Sequence, residues 1–224
     1  VTLTNNSHRV TTDAANPRAT NRHGHIIKFK VEGKSPLAMK FTWEIFLLAG
    51  SPTLAEANLK GDINGDPFSS PDGLWFSRPT NPGGQVKPLL WIQTDDGALT
   101  DRTNNQMLVA IPGTVGDGGS VTITNRGSGG ETATQTTRRG APATEATLKR
   151  FLVGPVGCEI TGVDSTPDGR ALFVGIQHPG EDGTAAAPDS SWPATQATGT
   201  APAGTRPRSS VVVITKNDGG VVGL

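Results

Sequence analysis

What this chain lacks narrows it first. Among its 224 residues there is no tyrosine and a single cysteine, Cys158. One thiol can form neither an internal disulfide nor a cysteine-rich zinc site. Charge of one sign is not in excess either: 20 Lys and Arg balance 20 Asp and Glu. That balance removes the broad basic footprint of a nucleic-acid-binding protein. Long apolar runs are missing as well. The longest, IFLLAG at residues 45–50, is strand-sized, far below the roughly 18 residues that span a bilayer. No nucleic acid and no membrane partner is therefore expected. With 29 glycines and 17 prolines the composition resists long helices, and the lack of a G-X-Y period excludes collagen. Residue 1 opens directly in a β-branched run, with no Met, basic segment or cleavage site before it. The expectation is a chain that begins mid-protein, the C-terminal portion of something larger.

What is present is a series of short apolar runs separated by Gly, Pro, Asn and Asp. Residues 1–4, 24–31, 41–48, 74–76, 89–93, 107–111, 121–124, 148–153, 160–164, 171–176 and 211–215 read as strands. In 24–31 the alternation places Ile27, Phe29 and Val31 on one face and Lys28 and Lys30 on the other. Only 54–60 and 144–150 read as helical, each about two turns long. Two stretches, 127–147 and 178–208, are rich in Gly, Thr, Ala and Pro and read as irregular surface loops. Many short strands at close spacing predict an all-β sandwich, barrel or propeller with short helices in its loops. A weak repeat favours the propeller: SPDGLWF at 70–76 resembles TPDGRALF at 166–173, each Pro-Asp-Gly reading as a turn before a strand.

Several polar clusters can carry chemistry. The densest, NPRATNRHGHII at 16–27, sets Arg18, Arg22, His23 and His25 among turn formers just before a strand. A guanidinium offers a planar fork of donors matched to phosphate or carboxylate, and Pro17 and Gly24 would hold the loop that carries it. TNNS at 4–7 follows a strand and can turn Asn5 into a shared mouth. Asp62, Asp66 and Asp72 lie among glycines in 61–76, a set of oxygen donors suited to a hard cation, although the spacing is not that of an EF-hand. Cys158 and Glu159 sit at the start of an apolar strand. The alternative for each is a surface ion pair, a turn or a small buried hydrophobe. No GxSxG, HExxH, Walker A or GxGxxG pattern occurs.

VTLTNNS, ANPRATNRHGHII, FLLAG, SPDGLWF, LWIQTDDG, FLVGPVGCEITG, TPDGRALFVGIQHPGE and SSVVVITKNDGG run in order along nearly the whole chain. Together they resemble the C-terminal part of the PhoX-type bacterial alkaline phosphatase family. The resemblance implies a metal-dependent phosphoesterase that hydrolyses phosphate monoesters with calcium and iron. It implies a large exported protein, periplasmic or secreted by the twin-arginine route. Residues 1–224 would then be the C-terminal blades of a single six-bladed β-propeller domain, partnered by the N-terminal remainder of the same protein. By similarity Arg18 would contact the substrate phosphate, with Asn5 beside it, and Asp72 and Glu159 would be metal ligands. The family's acidic residue two places after the arginine is replaced here by Thr20, a neutral hydroxyl at a metal-centre position. That departure supports a second reading, a non-catalytic or altered propeller that binds calcium or a ligand. A third, a calcium-dependent hydrolase of lactonase type, rests on Asp72 alone.

Overall fold

The computed structural model describes residues 1–77, 88–100, 102–127, 129–194 and 201–224. Among these the chain is all-β, with a single 3-10 turn at Glu32–Lys34. The strands form several sheets of propeller-like organisation, and the chain divides into two compact units.

Unit 1 comprises Val1–Asp72 and Pro112–Leu148. Its five-stranded sheet runs in the order β1 (Thr2–Leu3), β2 (His25–Val31), β3 (Phe41–Leu48), β8 (Thr132–Arg139), β7 (Gly119–Arg126). The β2–β3 pair is antiparallel with a register shift after Ile26, and β3 meets β8 in parallel. Beyond the shift Ile27, Phe29 and Val31 alternate with Lys28 and Lys30 as expected. Phe29 stands 50% exposed opposite Trp43, while Lys28 faces Glu44, which is only 1% exposed. Lys28 Nζ lies 3.0 Å from Glu44 and 2.9 Å from Asp117 and donates to the Pro112 carbonyl, so the charge turned inward is paired. The C-terminal half of β3, Glu44–Leu48, is buried on both faces, which accounts for its nearly continuous apolar run.

Unit 2 comprises Gly73–Ile111 and Lys149–Leu224. One of its sheets is ordered β4 (Pro71–Phe76), β5 (Leu90–Thr94), β6 (Gln106–Ala110), β9 (Leu148–Val153), and the other β10 (Glu159–Ser165), β11 (Ala171–Gln177), β12 (Ser210–Thr215). Trp91 and Met107 from the first sheet pack with Ile160, Leu172, Val174 and Ile176 from the second. Cys158 is buried among them. Each fully buried side chain of this size contributes about 1.5–3 kcal/mol. The layer between the two sheets is therefore the main stabilising element of this unit.

Three expectations need correction. The segments 54–60 and 144–150 are not helices. Each makes one turn, with Lys60 N–H donating to the Glu56 carbonyl and Leu148 N–H to the Thr144 carbonyl, and β9 begins at Leu148. Two turns alone do not repay the cost of nucleating a helix. The stretch 127–147 is not irregular throughout, because residues 132–139 form β8. This strand has few apolar side chains to announce it; threonine's preference for extended backbone and eight cross-strand pairs with β7 hold it. Within 178–208 no strand occurs among the described residues, and 195–200 lie outside them. Finally, the two Pro-Asp-Gly sequences differ. Residues 167–169 form the expected turn, with Thr166 N–H donating to the Ala171 carbonyl, whereas Pro71, Asp72 and Gly73 already belong to β4.

Candidate functional site

The polar residues of unit 1 converge on a cavity of about 240 Å³ beside β1 and β2. Local turn chemistry builds its wall. The side-chain oxygen of Asn6 accepts the His8 and Arg9 N–H groups at 3.2 and 3.0 Å, and the Asn6 N–H donates to the Asn21 carbonyl at 2.7 Å. The Asp13 carboxylate repeats the motif, accepting the Ala15 and Asn16 N–H groups at 2.9 and 2.7 Å. Gly24, with φ +73°, lies so close to β1 that a Cβ there would collide with the Thr4 carbonyl. The chain around Arg18 is clamped from β7. The Asn125 amide donates to the Pro17 carbonyl at 3.0 Å and accepts the Ala19 N–H at 2.8 Å.

Arg18 itself is 2% exposed. Its Nη1 donates to the Ala49 carbonyl at 2.8 Å, to Leu59 at 3.3 Å and to Lys60 at 3.5 Å, and its Nη2 donates to Gly24. Backbone dipoles thus take the place of water around a buried charge that would otherwise cost several kcal/mol. Burial pulls its pKa down to about 10 while the charge of Asp62 works the other way, so the guanidinium stays protonated at neutral pH. Its Nε–H has no partner among the described residues.

Two buried histidines flank this arginine. His25 Nε2 lies 2.8 Å from the Ala15 carbonyl and so carries the proton, which leaves Nδ1 to accept from the Asn21 amide at 3.1 Å. Burial lowers its pKa to about 4. His23, held near Ser69 Oγ at 3.1 Å, is lowered to about 4 by burial and then by Arg18 and Arg22. Both rings are neutral in the folded chain at neutral pH. The cavity is lined by Arg9, Arg18, neutral His25 and the amides of Asn5, Asn6, Asn16 and Asn21, with no carboxylate among its lining residues. Such a set of donors suits an anion. The volume is below the roughly 300–1,000 Å³ of drug-sized pockets, which suits a small oxyanion.

Of the residues singled out from sequence, Arg18, His25 and Asn5 meet at this cavity. Asn5 is exposed at its rim, and its amide lies 3.5 Å from Ser70 Oγ. Thr20 is exposed in left-handed backbone, φ 47°, and is not among the lining residues. Asp72 is exposed on β4 and also lies outside the lining; its carbonyl accepts from Thr2 Oγ1 at 3.0 Å. Asp62 is engaged, accepting the Leu48 N–H at 2.8 Å and facing Arg139 at 3.5 Å. Glu159 belongs to unit 2, where it accepts from the Gln177 amide at 2.8 Å and lies 3.3 Å from His178 Nε2. Cys158 is buried, and desolvation raises its thiol to about 12. Arg22 forms an exposed ion pair with Glu56 at 2.8 Å. Among the described residues no three His, Cys, Asp or Glu side chains are grouped to hold a metal ion. Thr20, Asp72 and Glu159 do not by themselves make a donor set for calcium or iron. Arg9, Asn16, Asn21 and Asn125 carry no motif of their own, because a lone arginine or asparagine in a polar stretch reads as a surface or turn residue. The density of asparagine over 5–21 was the available signal.

Fold and cavity together define an all-β, propeller-like protein with a donor-lined cavity, free of carboxylates, in unit 1. The sequence profile of the family described as "Alkaline phosphatase PhoX" matches residues 1–180, and the chain belongs to that family. A solved structure, Pseudomonas fluorescens PhoX in complex with vanadate, a transition state analogue, is 35% identical with a TM-score of 0.70. The match covers 99% of this chain and 32% of that one, so this chain spans about a third of the relative's length. No curated protein matches.

Proposed function

We propose that the protein is a phosphoesterase of the alkaline phosphatase type that hydrolyses phosphate monoesters, and that the unit 1 cavity receives the phosphoryl group. The observation that carries this reading is Arg18, a protonated guanidinium locked by backbone carbonyls, lining a cavity without carboxylates. Phosphoryl transfer is served mainly by positioning and by fixed positive charge on the transferring oxygens. A cation that does not reorganise suits that task. Asn5 and Asn21 would orient non-bridging oxygens, and His25, neutral with its proton on Nε2, would hold the Asn21 amide in place. The vanadate bound by the relative supports an oxyanion as the occupant.

Calcium and iron dependence, ligation by Asp72, Glu159 and the Thr20 position, and export to the periplasm or beyond by the twin-arginine route are part of this proposal. Most of the metal donors would come from the length of the relative that this chain does not match, and that remainder would be the chain's partner. No helix among the described residues is long and apolar enough to cross a membrane. The second reading, an altered propeller that binds a ligand without turnover, is favoured by one observation, the neutral Thr20 in strained backbone.

The test is turnover of p-nitrophenyl phosphate by the full-length protein at alkaline pH, with calcium and iron added singly and together. Metal-dependent release of nitrophenol is expected. Silence under every metal condition, with the fold intact by circular dichroism, would overturn the enzyme and leave the binding protein.

A further inference from the structure

Arg18 and Arg9 both line the cavity, yet their situations are opposite. Both Nη atoms of Arg18 are taken by backbone carbonyls, and the side chain is 2% exposed. It cannot turn toward a ligand without abandoning buried bonds. Arg9 has a fixed backbone, its N–H held by Asn6 and its carbonyl accepting from Thr20 N–H at 2.7 Å. Its guanidinium is held only at the surface, with Nη2 on Asp13 at 2.7 Å and Nε donating to the Thr11 carbonyl at 2.9 Å. The pair is 37% and 52% exposed, and a pair so exposed holds only weakly against water. A charge-assisted contact to a phosphate oxygen is stronger than that. Asp13 is itself anchored by the N–H groups of Ala15 and Asn16, so it cannot follow the guanidinium away.

We infer that Arg9 is the exchangeable cation of this cavity, leaving Asp13 to grip an incoming phosphoryl oxyanion, and that Asp13 is a built-in competitor for that cation. The inference rests on the reading of the cavity given above and deepens it: Arg18 supplies a fixed charge and Arg9 a mobile clamp. Asp13 sets the occupancy of the clamp, so affinity is tuned by a carboxylate outside the lining. Product release follows the same logic. The fixed carboxylate recaptures the guanidinium as phosphate leaves, which keeps inorganic phosphate from remaining bound.

The test is calorimetric titration of the full-length protein with inorganic phosphate, using Arg9→Ala, Arg9→Lys and Asp13→Asn. The Arg9 guanidinium makes only exposed bonds, and in Asp13→Asn the new amide oxygen still accepts the same two backbone N–H groups, so thermal unfolding should match the wild type. Arg9→Ala should weaken phosphate binding about tenfold or more, with Arg9→Lys between it and the wild type. Asp13→Asn should tighten binding about twofold to fivefold, a gain that shrinks at high ionic strength. If the wild type binds phosphate and Arg9→Ala binds it equally well, or Asp13→Asn weakens it, the inference falls and the cavity reading stands. If the wild type takes no phosphate, the cavity reading fails and the inference with it.

Discussion

Both units bury apolar and polar side chains, but among the described residues the buried arginine and histidines lie in unit 1. Unit 2 closes two sheets over Trp91, Met107, Ile160, Leu172, Val174 and Ile176. Unit 1 buries Arg18, His23, His25 and Glu44 along with its apolar residues. An apolar layer holds itself together by removing area from water. A buried charge costs free energy and survives only where backbone or opposite charge surrounds it. Unit 1 therefore carries the larger stability cost of this kind, and that cost marks where function is to be sought. The neutral charge of the whole chain conceals this local asymmetry.

The comparison is broken most sharply at Arg18. Arg18→Met takes the guanidinium away from the carbonyls of Ala49, Leu59, Lys60 and Gly24, of which Gly24 keeps the Ala49 N–H. Unfolding free energy by denaturant titration should fall by about 3–5 kcal/mol, as when a buried charge network loses a member. Turnover should fall far more than in Arg22→Ala, since Arg22 only pairs with Glu56 at the surface; equal effects of the two would remove Arg18 from the proposed site.

Trp91→Ala probes the other side of the comparison. It empties the layer between the sheets of unit 2, where Trp91 stacks edge-on against Phe151 with centroids 4.8 Å apart. A loss of about 3–5 kcal/mol is expected. A loss of under about 1 kcal/mol would contradict the tight packing described for this layer.

Acid should separate the units next. His23 and His25 sit near pKa 4 in the folded chain, against 6.5 for an ordinary histidine. Above pH 6.5 these rings are neutral in both states and contribute no pH dependence. Between pH 6.5 and about 4 the unfolded chain binds protons that the folded chain does not, so stability declines as pH falls through that window. The melting temperature followed over this range should drop, and His25→Gln should flatten the curve. A pH profile unchanged by the substitution would show that His25 is not the group responsible.

Thr20 should give the smallest effect. A β-branched residue at φ 47° is strained, and Thr20→Asn should raise stability by about 0.5–1 kcal/mol in a thermal melt. Thr20→Glu tests the family's pattern instead. Metal content of the full-length protein, measured by elemental analysis, should rise if this position serves the metal centre.

Much of the fold was legible in order along the chain. Residues 41–48 and 148–153 show their strands through apolar runs bounded by turn formers, because those cues are local. β8 was not legible, since a strand of threonine, arginine and glutamine is stabilised by its neighbour β7 and not by its own apolar pattern. Of the candidate site, Arg18, His25 and Asn5 could be named in advance. Arg9 could not, because its significance lies in facing the same cavity as Arg18 while being tied to a different partner.

Sequence by itself determined the all-β class, most strand positions and the family, for each is written in local alternation, turn residues or collinear motifs. Tertiary structure decided which polar groups share a space and which are already spent. Arg18 is satisfied by carbonyls from residues 24, 49, 59 and 60 and steadied by Asn125 from β7. Carbonyls are common to every residue, so no side-chain pattern foretells which of them will surround a buried charge. Only the folded backbone brings them together.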